Sequence, residues 1–211
     1  MSDVFLRRGI YGVLDGLSFE SLRELGELLI DRSISAVQIR AKSLSLEERQ
    51  ELARLMKSYR ARSSSTTVLV VNDDVALASV LELSCHVGQN DMPPALAKRQ
   101  LPSHALLGLS THAPEEVERA DHDSNVDYMG FGPMYATSSK NDALSPRTID
   151  DARHALMKTK KPLVAIGGLT ADNLAPLLDL GFRHFAFLSF LHGSKSEVSR
   201  RIDTLEKLLQ C

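Results

Sequence analysis

Tryptophan is absent from this sequence, aromatic residues of all kinds make up only 5% of it, and two cysteines occur. With so few rings, nothing interleaves aromatic and basic side chains in the way that single-stranded nucleic acid is stacked and gripped. Cys85 and Cys211 lack the spacing of a zinc site or a disulfide framework, so both read as reduced thiols. Neither sign of charge dominates: 25 Lys and Arg stand against 27 Asp and Glu, a formal net charge of −2. That balance gives no global basic field to concentrate nucleic acid or an anionic membrane, so any affinity for phosphate has to be local. No apolar run approaches the roughly 20 residues that span a bilayer, and the stretch from Met1 to Arg8 lacks the apolar region of a signal peptide. A cytoplasmic protein without nucleic-acid or membrane partners is expected; oligomeric state is left open.

What is present is a repeat. Short β-rich runs alternate with longer segments of helical period, beginning with Ile10 to Leu14 and then Phe19, Leu22, Leu25 and Leu29 on one helical face. Ala36 to Ile39 comes next, followed by a helix opened by Ser45 and Glu48, a spacing that lets each side chain cap the other's backbone N–H. Further strands are read at Thr67 to Val71, Ser84 to Val87, Ala105 to Leu109, Val126 to Phe131, Leu163 to Ile166 and His184 to Leu188. Pro114 with Glu115 and Glu116 marks one helix start, and Val198, Ile202, Leu205 and Leu209 form the apolar stripe of the last helix. Several strands are apolar on consecutive residues, which fits parallel strands covered on both faces. Eight such units predict an α/β fold, a single (β/α)8 TIM barrel with residues 1–211 as one domain. An open, doubly wound sheet is the alternative. The only long irregular stretch, Thr137 to Pro146, is the candidate lid.

In parallel barrels the C-terminal strand ends and the loops after them form the active face. Here those ends carry Gln38, Arg40 and Lys42, then Asn72 and Asp73, Gln89 and Asp91, Ser110, Thr111 and His112, Gly167 and Gly168, and Ser189. Asp73 and Asp91, on neighbouring strand ends, suit one Mg²⁺, which takes one or two carboxylates plus phosphate oxygens and water. Capping of the next helix is the competing role for either. Gln38, Arg40 and Lys42 alternate, so period two points all three to one side at the rim, a row able to grip an anion. A unit charge pair at about 4 Å is worth about 4 kcal/mol at an effective dielectric of about 20, so a diphosphate facing Mg²⁺, Arg40, Lys42 and Lys140 would be well neutralised. The Gly167-Gly168 pair allows close backbone approach to a second phosphate near Ser189, or simply a tight turn. His112 is a candidate acid or base, or a surface residue. The other histidines, Arg60 with Arg62, and Lys160 with Lys161 read as solvated helix faces or ends. Asp15, closing the first strand, has no assigned role.

Six segments carry a resemblance: Val37 to Lys42, Val71 to Asp73, His86 to Asp91, Leu109 to His112, Gly130 to Pro133 running on through Thr137 to Lys140, and Ala165 to Gly168. With these in order, the chain resembles the thiamine-phosphate synthase family and its relatives the thiazole tautomerases, along nearly its whole length. The resemblance implies Mg²⁺-dependent joining of hydroxymethylpyrimidine pyrophosphate to thiazole phosphate, with loss of pyrophosphate. It places Mg²⁺ on Asp73 and Asp91, and the pyrophosphate on Arg40, Lys42, Asn72 and Lys140. It puts the pyrimidine beside Gln38 and Ser110, and the thiazole phosphate on Thr137, Ser139, Gly168 and Ser189. Arg40, Lys42, Ser110 and Lys140 would be the catalytic set. It further implies that the pyrophosphate leaves first and the thiazole nitrogen captures a pyrimidinylmethyl cation, a step that needs charge neutralisation and contact between substrates rather than a protein nucleophile.

The chain departs from the family pattern at Asp74, usually Arg, at Phe190, usually a small residue, and at Ala136, usually Pro. Ser139 replaces a Thr, and Asp142 to Arg147 lacks a glycine. These changes spare the pyrophosphate and metal set and fall on the thiazole side. Two other readings therefore stand beside the synthase: a thiazole tautomerase using His112, and a non-catalytic phosphate-ligand-binding paralogue. Retention of Arg40, Lys42, Asp73 and Asp91 together favours the synthase, since a tautomerase has no evident use for all four.

Overall fold

Residues 9–136 and 145–209 are described by a computed structural model. Strands and helices alternate through them: β1 (Ile10–Leu14), α1 (Phe19–Asp31), β2 (Ala36–Ile39), α2 (Leu46–Arg62), β3 (Val68–Asn72), α3 (Val75–Val80), β4 (Ser84–Val87) and α4 (Pro94–Gln100). The second half follows with β5 (Leu107–Thr111), α5 (Pro114–His122), β6 (Tyr128–Phe131), α6 (Ile149–Met157), β7 (Leu163–Ile166), α7 (Ala175–Leu180), β8 (His184–Phe187) and α8 (Lys195–Leu208). The strands pair in sequence order, all parallel, and β8 closes on β1 with Ile10 opposite Phe185. Closure makes this a (β/α)8 barrel and excludes the open sheet.

Two cores follow from the period of two along each strand. Tyr11, Val13, Ala36, Val70, Tyr128, Val164 and Ala186 form the cluster inside the barrel. The alternate residues, among them Leu14, Val37, Leu69, Cys85, Leu107, Met129, Leu163 and Phe185, face outward and bury against the helices. Each fully buried aliphatic or aromatic side chain contributes about 1.5–3 kcal/mol of transfer free energy, which is why the consecutive apolar strands favour this two-sided burial. Ser45 and Glu48 form the expected capping box (3.2 and 2.9 Å), and Pro114 opens α5. Val198, Ile202 and Leu205 seat α8.

Strands β1, β2, β4 and β7 fall on the expected residues, but β5 runs two residues later than its apolar run. The Ala105 N–H turns back to the Pro102 carbonyl (2.9 Å) and the Leu106 N–H donates to Ser84 Oγ (3.1 Å), so pairing starts at Leu107. It continues to Thr111, whose buried hydroxyl donates to the Gly130 carbonyl (2.9 Å). Likewise β3 extends to Asn72, which pairs with His86, and β6 starts at Tyr128 because the Val126 N–H is held in a turn by the Asp123 carbonyl (3.1 Å). Cys85 is a free, buried thiol; burial, assisted by the charge of Asp73, pushes it up to about 12. Cys211 lies outside the described residues. Among the described residues, no helix is long and apolar enough to cross a membrane.

Candidate active site

A cavity of about 190 Å³ opens at the C-terminal mouth of the barrel, with walls that include Gln38, Arg40, Asn72, Ser110, His112, Gly168 and Ser189. Arg40 enters it from the turn after β2. The N–H groups of Arg40 and Ala41 both donate to the Leu14 carbonyl (3.1 and 2.8 Å), which brings this turn against the end of β1. There the Arg40 guanidinium pairs with the Asp15 carboxylate, both side chains nearly buried (12% and 7% exposed). The other Asp15 oxygen accepts the Lys42 backbone N–H (2.7 Å), and His192 Nε2 bonds the Asp15 carbonyl oxygen (3.0 Å). Asp15, unassigned from sequence, is thus the anchor of the basic row.

That row is not a simple alternation. Ala41 takes a left-handed φ of +42°, so the period of two ends there and the expectation that Gln38, Arg40 and Lys42 share one side is corrected. Gln38 and Arg40 line the cavity, whereas Lys42 Nζ lies 3.1 Å from Asp73 Oδ2 at the rim.

Neither metal candidate caps a helix. Asp74 does so for α3, accepting the Leu77 N–H (2.9 Å), which leaves the Asp73 carboxylate to Lys42. Asp91 Oδ2 accepts the Gly88 N–H (2.7 Å) and closes the turn after β4, while Pro93 occupies the N-cap of α4. The two carboxylates stand after β3 and β4, which are neighbours in the barrel. Their donor set is two hard oxygen ligands. Among the described residues no group of three or more His, Cys, Asp or Glu gathers, so a cation here would draw most of its shell from a ligand and water.

The cavity floor holds what the sequence did not reveal. His86, grouped above with solvated histidines, projects into the barrel: its Nδ1 lies 3.1 Å from the Tyr128 hydroxyl and its Nε2 2.9 Å from Ser110 Oγ. The Tyr128 and Tyr11 hydroxyls are 3.0 Å apart, and Gln38 Nε2 donates to Tyr11 (3.1 Å). Gly108 makes room for this row. A Cβ there would collide with the Tyr128 ring and with His86 Nδ1, so Gly108→Ala is expected to destabilise the fold by about 1–3 kcal/mol. A urea midpoint equal to the parent's would refute that packing. The signal in the sequence was a glycine at the phase of a large inward residue.

On the opposite wall, Gly167 and Gly168 hold φ of +101° and +64°, and a Cβ on Gly168 would come within 2.6 Å of the Ala136 carbonyl oxygen. Ser189 opens a short 3-10 turn, Ser189–Leu191. Phe190 packs on Phe187 (5.6 Å between centroids) and under the Arg201 guanidinium (5.5 Å), away from the cavity walls. His112 donates Nδ1–H to the Gly132 carbonyl (2.7 Å), leaving Nε2 as the atom able to exchange a proton with a ligand. Thr137, Ser139 and Lys140 lie outside the described residues. The chain on either side of them is tied to the mouth: the Tyr135 N–H donates to the Gly167 carbonyl (3.0 Å) and the Arg147 N–H to the Pro133 carbonyl (2.7 Å).

Comparison with known proteins agrees with this arrangement. Residues 10–191 match the family model described as thiamine monophosphate synthase. A thiamine-phosphate synthase of Lactococcus lactis subsp. cremoris (strain SK11) is 35% identical over 166 residues, 78% of this chain and 76% of the relative. One from Chloroflexus aurantiacus is 37% identical over 183 residues, 85% and 83% of the two chains. A solved structure, the thiamine phosphate pyrophosphorylase from Pyrococcus furiosus, superposes with a TM-score of 0.78 at 24% identity, covering 97% of this chain and 96% of that one, a likeness of fold. The barrel, its loaded mouth and the match across residues 10–191 together make this chain a member of the thiamine monophosphate synthase family.

Proposed function

We propose that the chain, working as one barrel unit in the cytoplasm, is a thiamine-phosphate synthase that joins hydroxymethylpyrimidine diphosphate to thiazole phosphate and releases diphosphate. The observation that carries this is the Arg40 guanidinium held by Asp15 at the cavity mouth, with the Lys42–Asp73 pair beside it at the rim. Arg40, Lys42 and Asn72 bind the diphosphate, together with Lys140. Gln38 and Ser110 orient the pyrimidine, and Thr137, Ser139, Gly168 and Ser189 take the thiazole phosphate. Asp73 and Asp91 would hold Mg²⁺, which when bound offsets the charge of the diphosphate. Lys42 neutralises Asp73 until then and afterwards serves the leaving group. A fixed array of donors aimed at departing charge, with both substrates in contact, is what such a displacement needs. Two of the departures from the family pattern have structural roles of their own: Asp74 caps α3 and Phe190 packs against α8.

His112 in the cavity wall supports one other reading, a thiazole tautomerase. Incubating the purified protein with both substrates, with and without Mg²⁺, and following thiamine phosphate by mass spectrometry separates the two. Product is expected only with both substrates and the metal. Thiazole tautomer conversion without coupling would move the assignment to the tautomerase, and binding of both substrates without product would leave a ligand-binding paralogue.

A further inference from the structure

The hydrogen bonds beneath the cavity form one continuous row that starts and ends in its walls. Gln38 Nε2 donates to the Tyr11 hydroxyl (3.1 Å), Tyr11 meets Tyr128 (3.0 Å), Tyr128 meets His86 Nδ1 (3.1 Å), and His86 Nε2 meets Ser110 Oγ (2.9 Å). Tyr11 and Tyr128 are both buried, and burial raises both phenols above their usual range, so each keeps its single proton. A buried hydroxyl that accepts from one neighbour has to donate to the next or leave its proton unsatisfied. A donor fixed at one end therefore favours one direction along the row. With Gln38 Nε2 as the first donor, the consistent run has Tyr11 donating to Tyr128, Tyr128 to His86 Nδ1, and an Nε2–H of the imidazole to Ser110 Oγ. Ser110 is left with its own proton to give to a ligand, and Gln38 with its carbonyl oxygen to accept from one. Gly108 and Gly130 border His86, so at these two positions β5 and β6 set no side chain against the ring.

We propose that His86 is a positioning residue, held by Tyr11 and Tyr128 as its Nε2–H tautomer, which fixes Ser110 as a donor and Gln38 as an acceptor for the substrate ring. A heteroaromatic ring with an exocyclic amine and ring nitrogens offers the matching donor and acceptors, the chemistry of an aminopyrimidine. The identity of that ring rests on the synthase reading; the direction of the row does not.

Two measurements test this. Long-range ¹H–¹⁵N correlation spectra of the ¹⁵N-labelled full chain report the tautomer of each histidine. The His86 ring is assigned by triple-resonance connection to its backbone, so no variant is required. A neutral ring protonated on Nε2 is expected; a ring protonated on Nδ1, or on both nitrogens, would overturn the proposal. In Tyr128→Phe the donor to Nδ1 is gone, and His86 is expected to lose its Nε2–H preference. In the same variant KM for hydroxymethylpyrimidine diphosphate should rise about tenfold while KM for thiazole phosphate stays within about twofold. An unchanged tautomer, or two KM values that rise together, would also overturn it. If the parent protein couples no substrates at all, the synthase reading falls, and the tautomer spectrum still decides the direction of the row.

Discussion

Asp15→Ala is expected to destabilise the barrel by about 3–5 kcal/mol, a fall in melting temperature on the order of 10 °C for a chain of this size. The Arg40 and Asp15 side chains are only 12% and 7% exposed, and a guanidinium cannot shed its charge when its partner is removed. The variant also strips the acceptor from the Lys42 backbone N–H. Both losses fall on the turn that presents the basic row, so coupling activity should fall along with stability. The double variant Asp15→Ala/Arg40→Ala separates the two effects. It removes the stranded charge and is expected to melt above Asp15→Ala alone, yet to remain inactive because Arg40 is gone from the cavity wall. Calorimetry of the three proteins gives the answer. A single variant that melts within a degree or two of the parent would mean that Arg40 reaches solvent at no cost, and the anchoring role of Asp15 would be lost.

Features set by a few neighbouring residues were legible in the sequence. The Ser45/Glu48 capping box, the Pro114 helix start and four of the strands follow from local pattern alone, because capping and burial on both faces are decided within one or two turns of chain. Where the outcome depended on distant partners, the sequence was silent. The start of β5 is fixed by Ser84 from the neighbouring strand, and an apolar run does not say where pairing begins. Asp15 lies 25 residues from Arg40, and Tyr11 lies 117 residues from Tyr128. His86 was misplaced for the same reason. Its polarity suggested solvent, and only the closed barrel shows that its phase on β4 aims it at Tyr128 and Ser110. The alternation through Lys42 failed at one residue, Ala41, whose left-handed backbone no local propensity announced.

Asp73→Asn and Asp91→Asn are each expected to lower kcat/KM for coupling on the order of 10²–10³-fold, with more Mg²⁺ needed for half-maximal rate. The size follows from losing several kcal/mol of charge stabilisation at tenfold per about 1.4 kcal/mol. Asparagine is the informative replacement at Asp91, because its side-chain oxygen can still accept the Gly88 N–H that closes the turn, whereas alanine would lose turn and ligand together. At Asp73 the lost partner is Lys42, a half-exposed contact worth at most about 1 kcal/mol, so the melting temperature should barely move. The two variants therefore read the metal rather than the fold. Asp73→Asn also frees Lys42 for the diphosphate. If freeing that ammonium were all that Asp73 controlled, the variant would bind diphosphate more tightly and keep its Mg²⁺ requirement. Titrating both variants with Mg²⁺ at fixed diphosphate substrate distinguishes the outcomes: a curve displaced to higher Mg²⁺ assigns the carboxylates to the cation, and an unshifted curve with parental rates removes them from it.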